Sequence, residues 1–109
     1  MTAGQSAVDL LRVSREGATR VFEICLQRVD VAVAEQLKTA LRAEAAGEPC
    51  DILLDMRQID FIDSSGLGAI LALRKSLDPS RIITMRHTRP FVQKVLRLTH
   101  LDKVFGQVP

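Results

Sequence analysis

The segment that most constrains the fold of this chain is Ile52-Leu53-Leu54, a continuous apolar run between Asp51 and Asp55. Three apolar residues in succession, without alternation, are typical of a strand that is covered on both of its faces. Stretches in which apolar residues recur at helical spacing lie before and after this run. Because buried strands that alternate with helices are typical of α/β domains, we expect a sheet with helices packed against it.

The chain is expected to open with a β-hairpin. Val8–Val13 is a short apolar stretch, the residues Arg15-Glu16-Gly17 favour a turn, and Thr19–Leu26 has the apolar pattern of a strand. Two such runs joined by a short polar turn predict a pair of antiparallel strands. Met1–Ala7 are small and polar, and we expect them to form a frayed start.

Two helices are predicted in the middle of the chain. Asp30 is a candidate N-cap of the first helix, and Gly47–Pro49 stops it. Asp60–Ser65 is expected to be a connection, and Gly66–Leu77 a second helix whose first two turns are apolar nearly all round. A helix with that pattern is buried. The apolar positions of the first helix are Val33, Leu37, Ala40 and Leu41.

A last strand and a third helix follow. Ile82–Met85 is the predicted strand, Thr88 a candidate helix cap, and Pro90 a residue of the first helical turn. The predicted inner side of this helix consists of Phe91, Val95 and Leu98, widened by Val92 and Leu96. Three further apolar residues are expected to pack the end of the chain on the core: Leu101, Val104 and Phe105. We therefore expect one domain over residues 1–109, with a mixed β-sheet (an N-terminal hairpin, then parallel strands) packed against α-helices.

Composition narrows the class of protein. Apolar residues make up 47% of the chain and charged residues 26%, which is the ordinary balance of a soluble globular domain. The net charge is only +2 and the basic residues are scattered, so nucleic acid is not an expected partner. There is no secretory signal pattern and no membrane-spanning run of about 20 apolar residues, which favours a cytoplasmic protein. Cys25 and Cys50 lie in apolar runs and are expected to be buried, reduced thiols.

The most informative motif is Phe61-Ile62-Asp63-Ser64-Ser65-Gly66-Leu67-Gly68, between the predicted buried strand and the second helix. The start of a helix exposes unpaired N–H groups and the positive end of the helix dipole, which favour a phosphate by about 0.3–1 kcal/mol. Gly66 and Gly68 lack side-chain bulk, so another backbone can approach closely. Ser64 is then well placed for a kinase. The alternative is that Asp63 or Ser64 only caps the helix and that the glycines only permit tight packing.

The motif, together with Ile52–Met56 and continuing to Leu71, resembles the STAS family and, within it, the bacterial anti-sigma factor antagonists. The resemblance implies a STAS fold and a protein–protein switch without a cofactor. In this family the partner, an anti-sigma factor serine kinase with a histidine-kinase-like ATP-binding fold, phosphorylates the first serine after the aspartate. That residue is Ser64 here, and its neighbour Ser65 is a weaker candidate. A PP2C-type phosphatase would remove the phosphate.

The resemblance also implies which residues contact the partner. Asp30, at the start of the first helix, is expected to lie near the phosphorylation loop, although it can equally be a simple N-cap. The implied partner surface comprises Asp30, Asp63, Ser65, Gly66, Leu67 and Gly68. An alternative within the same family is a non-switching interaction or scaffold domain in a stress-signalling or lipid-transport complex.

Catalytic and metal sites are not predicted. The aspartates Asp51, Asp55, Asp60 and Asp63 are dense, but a receiver domain also needs an acidic pair after its first strand, and Val21–Ile24 supplies none. Solvated strand and helix ends account for these acids. Ile62 stands two residues before Ser64, where a G-x-S-x-G hydrolase needs a glycine, and there is no phosphate-binding G-K-[ST] sequence. His87 and His100 stand apart without the spacing of metal ligands, so surface or capping roles are expected.

Overall fold

A computed structural model of the chain describes residues 10–108, so the predicted frayed start at Met1–Ala7 lies outside the described residues. The order of elements is a hairpin followed by alternating strands and helices. These are β1 (Leu11–Glu16), β2 (Thr19–Ile24), β3 (Arg28–Val29), α1 (Val31–Ala45), β4 (Ile52–Asp55), β5 (Phe61–Ile62), α2 (Ser64–Ser76), β6 (Ile83–Arg86), α3 (Pro90–Leu98), a 3-10 turn (Leu101–Lys103) and β7 (Gly106–Val108).

The main sheet has five strands in the order β1-β2-β4-β6-β7. β1 is antiparallel to β2, whereas β2, β4, β6 and β7 are parallel to one another. This mixed sheet confirms the predicted fold class. The four parallel strands lie across the sheet in the same order as along the chain. Because crossover connections are right-handed, that order places all three helices on one face of the sheet.

The hydrophobic core lies between that face and the helices. The register aligns Phe22, Leu54 and Met85 in one row across β2, β4 and β6, and each of these side chains is completely buried. The helices supply the rest of the core, with α1 contributing Leu37 and Leu41, α2 contributing Ile70 and Leu73, and α3 contributing Val92 and Leu96. Successive side chains of a strand point to opposite faces, so the residues next to Phe22, Leu54 and Met85 in β2, β4 and β6 point away from the helices.

The face of the sheet opposite the helices carries two buried apolar residues, Val21 of β2 and Leu53 of β4, which are neighbours in the register. Arg86 lies one row beyond them on β6, and Glu16 lies one row before them on β1. Two hydrogen bonds of 3.0 Å join the Arg86 guanidinium to the Glu16 carboxylate, so this ion pair passes over Val21 and Leu53. The run Ile52–Leu54 is buried on both faces, as predicted. Helices cover one face of the run, and the charged side chains of Arg86 and Glu16 lie over the other.

Some boundaries differ from those predicted. β1 continues to Glu16, and the turn is centred on Gly17, whose φ of +63° is in the left-handed region that glycine tolerates. The predicted connection Asp60–Ser65 contains strand β5 and the first turn of α2. α2 begins at Ser64, two residues earlier than predicted. Its N-cap is Asp63, a residue that the prediction placed in the connection.

The C-terminal third holds the larger corrections. Thr88 does not cap α3; Arg89 occupies the N-cap position without a side-chain hydrogen bond, and Pro90 is in the first turn as predicted. The buried residues of α3 are Val92 and Leu96 rather than Phe91 and Leu98, which are 44% and 71% exposed. Val95 packs against the core as predicted, but the buried side is centred on Val92 and Leu96, which the prediction placed at its margin, because α3 is apolar on two sides.

The last segment also differs. Phe105 is buried and Leu101 packs against the core, but Val104 is 43% exposed. Residues 106–108 form the edge strand β7, which was not predicted. His87 and His100 lie at exposed turns with φ of +58° and +61°.

The two cysteines are free thiols, as predicted, but both are partly exposed rather than buried. Cys25 follows β2 and Cys50 precedes β4. Because β2 and β4 are parallel neighbours, the two thiols lie at opposite ends of the strands. Among the helices described, none has the length and apolar character needed to cross a membrane.

Candidate functional site

The two-residue strands β3 and β5 bring together the two aspartates of the predicted site. They pair in parallel, with Arg28 opposite Phe61 and Val29 opposite Ile62. The next residues are Asp30 and Asp63, and the Asp63 N–H donates to the Val29 carbonyl oxygen at 3.2 Å. A helix follows each aspartate directly, so the N-termini of α1 and α2 lie side by side.

Both aspartates are N-caps. The Asp30 carboxylate accepts a hydrogen bond of 3.1 Å from the backbone N–H of Ala32, and the Asp63 carboxylate accepts one of 2.9 Å from that of Gly66. Each bond satisfies one of the N–H groups that a helix start leaves unpaired. The capping role considered for Asp30 and Asp63 is therefore present, and it holds their carboxylates at the mouths of the two helices.

Ser64 is the first residue of α2, and it is exposed. Ser65 is half-buried, and Gly68, one helical turn after Ser64, is exposed with nothing within 4 Å of the position that a Cβ would take. An incoming group can therefore reach the hydroxyl of Ser64 more easily than that of Ser65.

Gly66 and Leu67 lie on the inner side of the same helical turn. A Cβ on Gly66 would overlap the Val29 carbonyl oxygen and would stand 2.9 Å from Cγ1 of Ile62. The backbone that approaches Gly66 closely is therefore the chain's own strand β3. Leu67 is only 8% exposed and belongs to the core. These two residues shape the site from within, and their contact with a partner stays a prediction.

A shallow groove runs between α1 and α2 beside the motif, with a volume of about 310 Å³. The most exposed apolar side chain on its wall is Val31, at 74%. Glu35 and Lys38 form an ion pair of 3.0 Å on the α1 side. The complete lining is Val31, Ala34, Glu35, Lys38, Ser65, Gly68, Ala69 and Ala72. Sequence reasoning did not select Val31, since an apolar residue in a first helical turn is usually part of the core.

An aromatic corner adjoins the site through β5. The rings of Phe61 and Phe91 stack with their centroids 5.5 Å apart and an interplanar angle of 15°. Arg28 on β3 places its guanidinium 4.2 Å from the centroid of the Phe61 ring. This distance is that of a cation–π contact. Only the packing of α3 against β5 reveals this corner, because Phe91 is distant from the other two residues in the chain.

Most of the dense aspartates have structural partners rather than a shared site. Asp51 accepts a hydrogen bond from the N–H of Ile82, and Asp60 forms an ion pair of 3.1 Å with Arg89. These two are exposed, as expected of strand and loop ends. Within residues 10–108, no group of three or more His, Cys, Asp or Glu side chains could hold a metal ion.

Asp55 is the exception, because it is buried, with 2% of its surface exposed. Its carboxylate accepts hydrogen bonds from the Arg57 side chain, the shortest 2.8 Å, and lies 3.6 Å from Arg86. Burial acts to raise the pKa of Asp55, but the hydrogen bonds and the charge of Arg57 outweigh it and hold that pKa below its ordinary value of 3.8. Asp55 is therefore an ionised carboxylate that ties the ends of β4 and β6 together.

Solved structures share this arrangement of strands and helices. An anti-sigma-factor antagonist (STAS) domain protein from Planctomyces limnophilus superposes with a TM-score of 0.80 at 23% identity, over 90% of this chain and 87% of that one. An anti-sigma factor antagonist from Mycobacterium paratuberculosis gives a TM-score of 0.80 at 24% identity, over 91% and 84%. The Bacillus cell fate determinant SpoIIAA, in its phosphorylated form, gives 0.64 at 19% identity, over 91% of each chain.

The similarity also holds at the level of sequence. The family model of the STAS domain matches residues 14–109, which include every strand and helix described from β2 onward and the second half of β1. This match covers far more than half of the chain. The chain also shares the fold of the solved anti-sigma factor antagonists described above. This protein therefore belongs to the STAS domain family.

Proposed function

We propose that this protein is an anti-sigma factor antagonist that acts in the cytoplasm as a phosphorylation-controlled switch. In its unphosphorylated form it binds an anti-sigma factor serine kinase with a histidine-kinase-like ATP-binding fold, and phosphorylation of Ser64 releases it. The observation that carries the proposal is the exposed hydroxyl of Ser64 at the first position of α2, between two aspartate-capped helix ends. The fold supports it, since the structural neighbours include a SpoIIAA in its phosphorylated form.

Accessibility favours Ser64 as the acceptor. A kinase must bring the γ-phosphate of ATP in line with the attacking oxygen, which requires open space around that oxygen. Ser64 is exposed, whereas Ser65 is half-buried and lines the α1–α2 groove. The hydroxyl oxygen of Ser64 would attack the γ-phosphorus, the bond to ADP would break, and the kinase's base would take the hydroxyl proton.

The partner would rest on the surface around this hydroxyl. Its exposed part consists of Ser64, Gly68 and Val31, with the carboxylates of Asp30 and Asp63 at the helix mouths. Gly66 and Leu67 would contribute through the shape of the first turn of α2. The open space over Gly68 lets a partner backbone approach closely.

Release follows from charge. Phosphorylation adds about −1.5 to −2 charges at neutral pH, next to the carboxylates of Asp30 and Asp63. Inside an interface this charge is repelled and has to lose its hydration, and each loss of about 1.4 kcal/mol weakens binding tenfold. A loss of a few kcal/mol in binding free energy is therefore enough to release the partner. A PP2C-type phosphatase would restore the binding form.

The direct test is incubation of the protein with its cognate anti-sigma kinase and ATP, followed by mass spectrometry of the peptide that contains Ser64 and Ser65. We expect one phosphate, on Ser64, and none on the Ser64→Ala variant. Ser65→Ala is the matched control and should still accept phosphate. Phosphate on another residue would overturn the site assignment, and failure of the unmodified protein to bind any such kinase would overturn the switch.

A further inference from the structure

Helix α3 is apolar on two sides, and only one of them is fully buried. Val92 and Leu96 are buried in the core. Phe91, Val95 and Leu98, here called the α3 strip, recur at i, i+4 and i+7 on another side of the helix, where Val95 is half-buried and packs against the edge of the core. Phe91 is 44% exposed and Leu98 is 71% exposed. Large apolar side chains that line up on an exposed helix side indicate an interaction surface more strongly than scattered ones do.

One end of the α3 strip is held in place before any partner arrives. The Phe91 ring stacks on Phe61 at 5.5 Å, and Arg28 lies on Phe61 at 4.2 Å. An anchor whose geometry is already fixed loses little conformational entropy on binding. The strip spans two helical turns, or about 10 Å, which suits the i, i+4, i+7 anchors of an opposing helix.

The charged side chains on α3 itself are basic. Pro90–Leu98 contains Lys94 and Arg97 and no acidic residue, and Asp102, just after the helix, lines a groove together with Arg97. Within the described part of the chain, Lys94 and Arg97 are exposed and take part in no ion pair, while Arg89 is already paired with Asp60. Lys94 lies one turn before Leu98 and so borders the strip directly.

We propose that the α3 strip docks an acidic amphipathic helix of a partner protein. The apolar side of that helix covers Phe91, Val95 and Leu98, and its carboxylates meet Lys94 and Arg97. The surface lies along α3 and does not depend on the phosphorylation of Ser64. An anionic membrane fits less well, because insertion needs a larger apolar area and the Phe91 ring is fixed by its stacking on Phe61.

The test uses the full chain labelled with ¹⁵N and a synthetic peptide of Leu and Glu that forms an amphipathic helix. We expect the amide signals of Phe91, Lys94 and Leu98 to shift, with binding that weakens as salt rises. The same peptide with Lys in place of Glu should not bind. Leu98→Ser and Lys94→Glu should each weaken binding by about fivefold or more. Both residues are exposed, so the variants should keep the wild-type spectrum outside α3.

Two matched control variants distinguish binding at the α3 strip from nonspecific binding elsewhere on the surface. Ile82 is 57% exposed and lies in the loop before β6, and Lys75 is an exposed lysine near the end of α2. Ile82→Ser and Lys75→Glu should bind the acidic peptide as tightly as wild type. Shifts away from α3, equal loss in the controls, or no binding of the acidic peptide would overturn the proposal. Binding to phosphatidylglycerol vesicles without binding to the peptide would overturn it in favour of a membrane surface.

Discussion

The Arg86 guanidinium on β6 is bonded to both carboxylate oxygens of Glu16 on β1, at 3.0 Å each, although β2 and β4 lie between their strands. Arg86 also approaches the buried Asp55 at 3.6 Å. Right-handed crossovers put α1, α2 and α3 on the other face of the sheet. Within residues 10–108, the ion pair between Arg86 and Glu16 therefore contributes to the cover over Val21 and Leu53 on the open face.

Replacement of Arg86 is expected to destabilise the fold. Arg86→Ala removes the cover over Val21 and Leu53 and leaves Asp55 with Arg57 alone, a loss of roughly 1–2 kcal/mol. Urea unfolding measures it. Arg12→Ala is the matched control: Arg12 is on the same face, but its side chain is 73% exposed and it contacts Glu23 at 3.5 Å. An equal loss in both variants would show that Arg86 has no covering role.

Gly66 and Gly68 should respond to alanine with opposite signs. Gly66→Ala forces a Cβ against the backbone of Val29 and should destabilise by about 1–3 kcal/mol. Gly68→Ala meets nothing within 4 Å and should stabilise α2 by about 0.5–1 kcal/mol. Thermal unfolding of the two variants checks both signs. A stable Gly66→Ala protein would mean that β3 does not pack on α2 as described.

Acid should weaken the fold through Asp55. The folded pKa of Asp55 is lower than its ordinary 3.8, so the ionised form stabilises the fold above that pH, and the stabilisation is lost as pH falls through the folded value. Asp55→Asn should be less stable than wild type by about 1–3 kcal/mol at neutral pH, because hydrogen bonds to a charged group are lost. The difference should shrink below pH 3.8. Urea unfolding over a pH series measures it, and a pH-independent difference would contradict it.

The two roles of Asp30 can be separated by substitution. Asp30→Ala removes the N-cap of α1 and should cost about 1 kcal/mol, whereas Asp30→Ser keeps a capping oxygen and should be near wild type in stability. If the carboxylate also contacts the kinase, Asp30→Ser should weaken binding without destabilising the fold. Calorimetric unfolding and binding titration of the same samples give both quantities. Unchanged kinase binding by Asp30→Ser would restrict Asp30 to capping.

Variants of Ser64 should separate binding from release. Ser64→Ala should bind the kinase like the unmodified protein, because only a hydroxyl is lost. Ser64→Asp places a third carboxylate beside Asp30 and Asp63 and should weaken binding by about tenfold or more, if repulsion costs about 1.4 kcal/mol. Ser80→Asp, in the exposed loop after α2, serves as the control for added charge outside the partner surface. Titration of the kinase with each variant measures this, and tight binding by Ser64→Asp would contradict release by charge.

The sequence predicted the parts of the fold that local pattern determines. Ile52–Leu54 is buried on both faces, and Asp30 caps α1 as expected. Which apolar side of α3 is buried could not be predicted, because the series that start at Phe91 and at Val92 fit helical periodicity equally well. Packing decides which of them is buried, and the core space under α3 accepts Val92 and Leu96. Edge strands such as β7 depend on a neighbour, here β6, that lies far away in the chain.

The amino-acid sequence by itself determined that the chain forms an α/β domain with Ser64 near a helix start, since apolar periodicity and capping residues are local properties. The resemblance of the motif Phe61–Gly68 to the STAS family then indicated which α/β domain it is. The resemblance placed Asp30 near the phosphorylation loop, but only the tertiary structure shows that the pairing of β3 with β5 brings it beside Asp63. Only the tertiary structure shows the ion pair between Arg86 and Glu16 over Val21 and Leu53. Strand order decides both, and strand order is set by contacts between residues far apart in the chain.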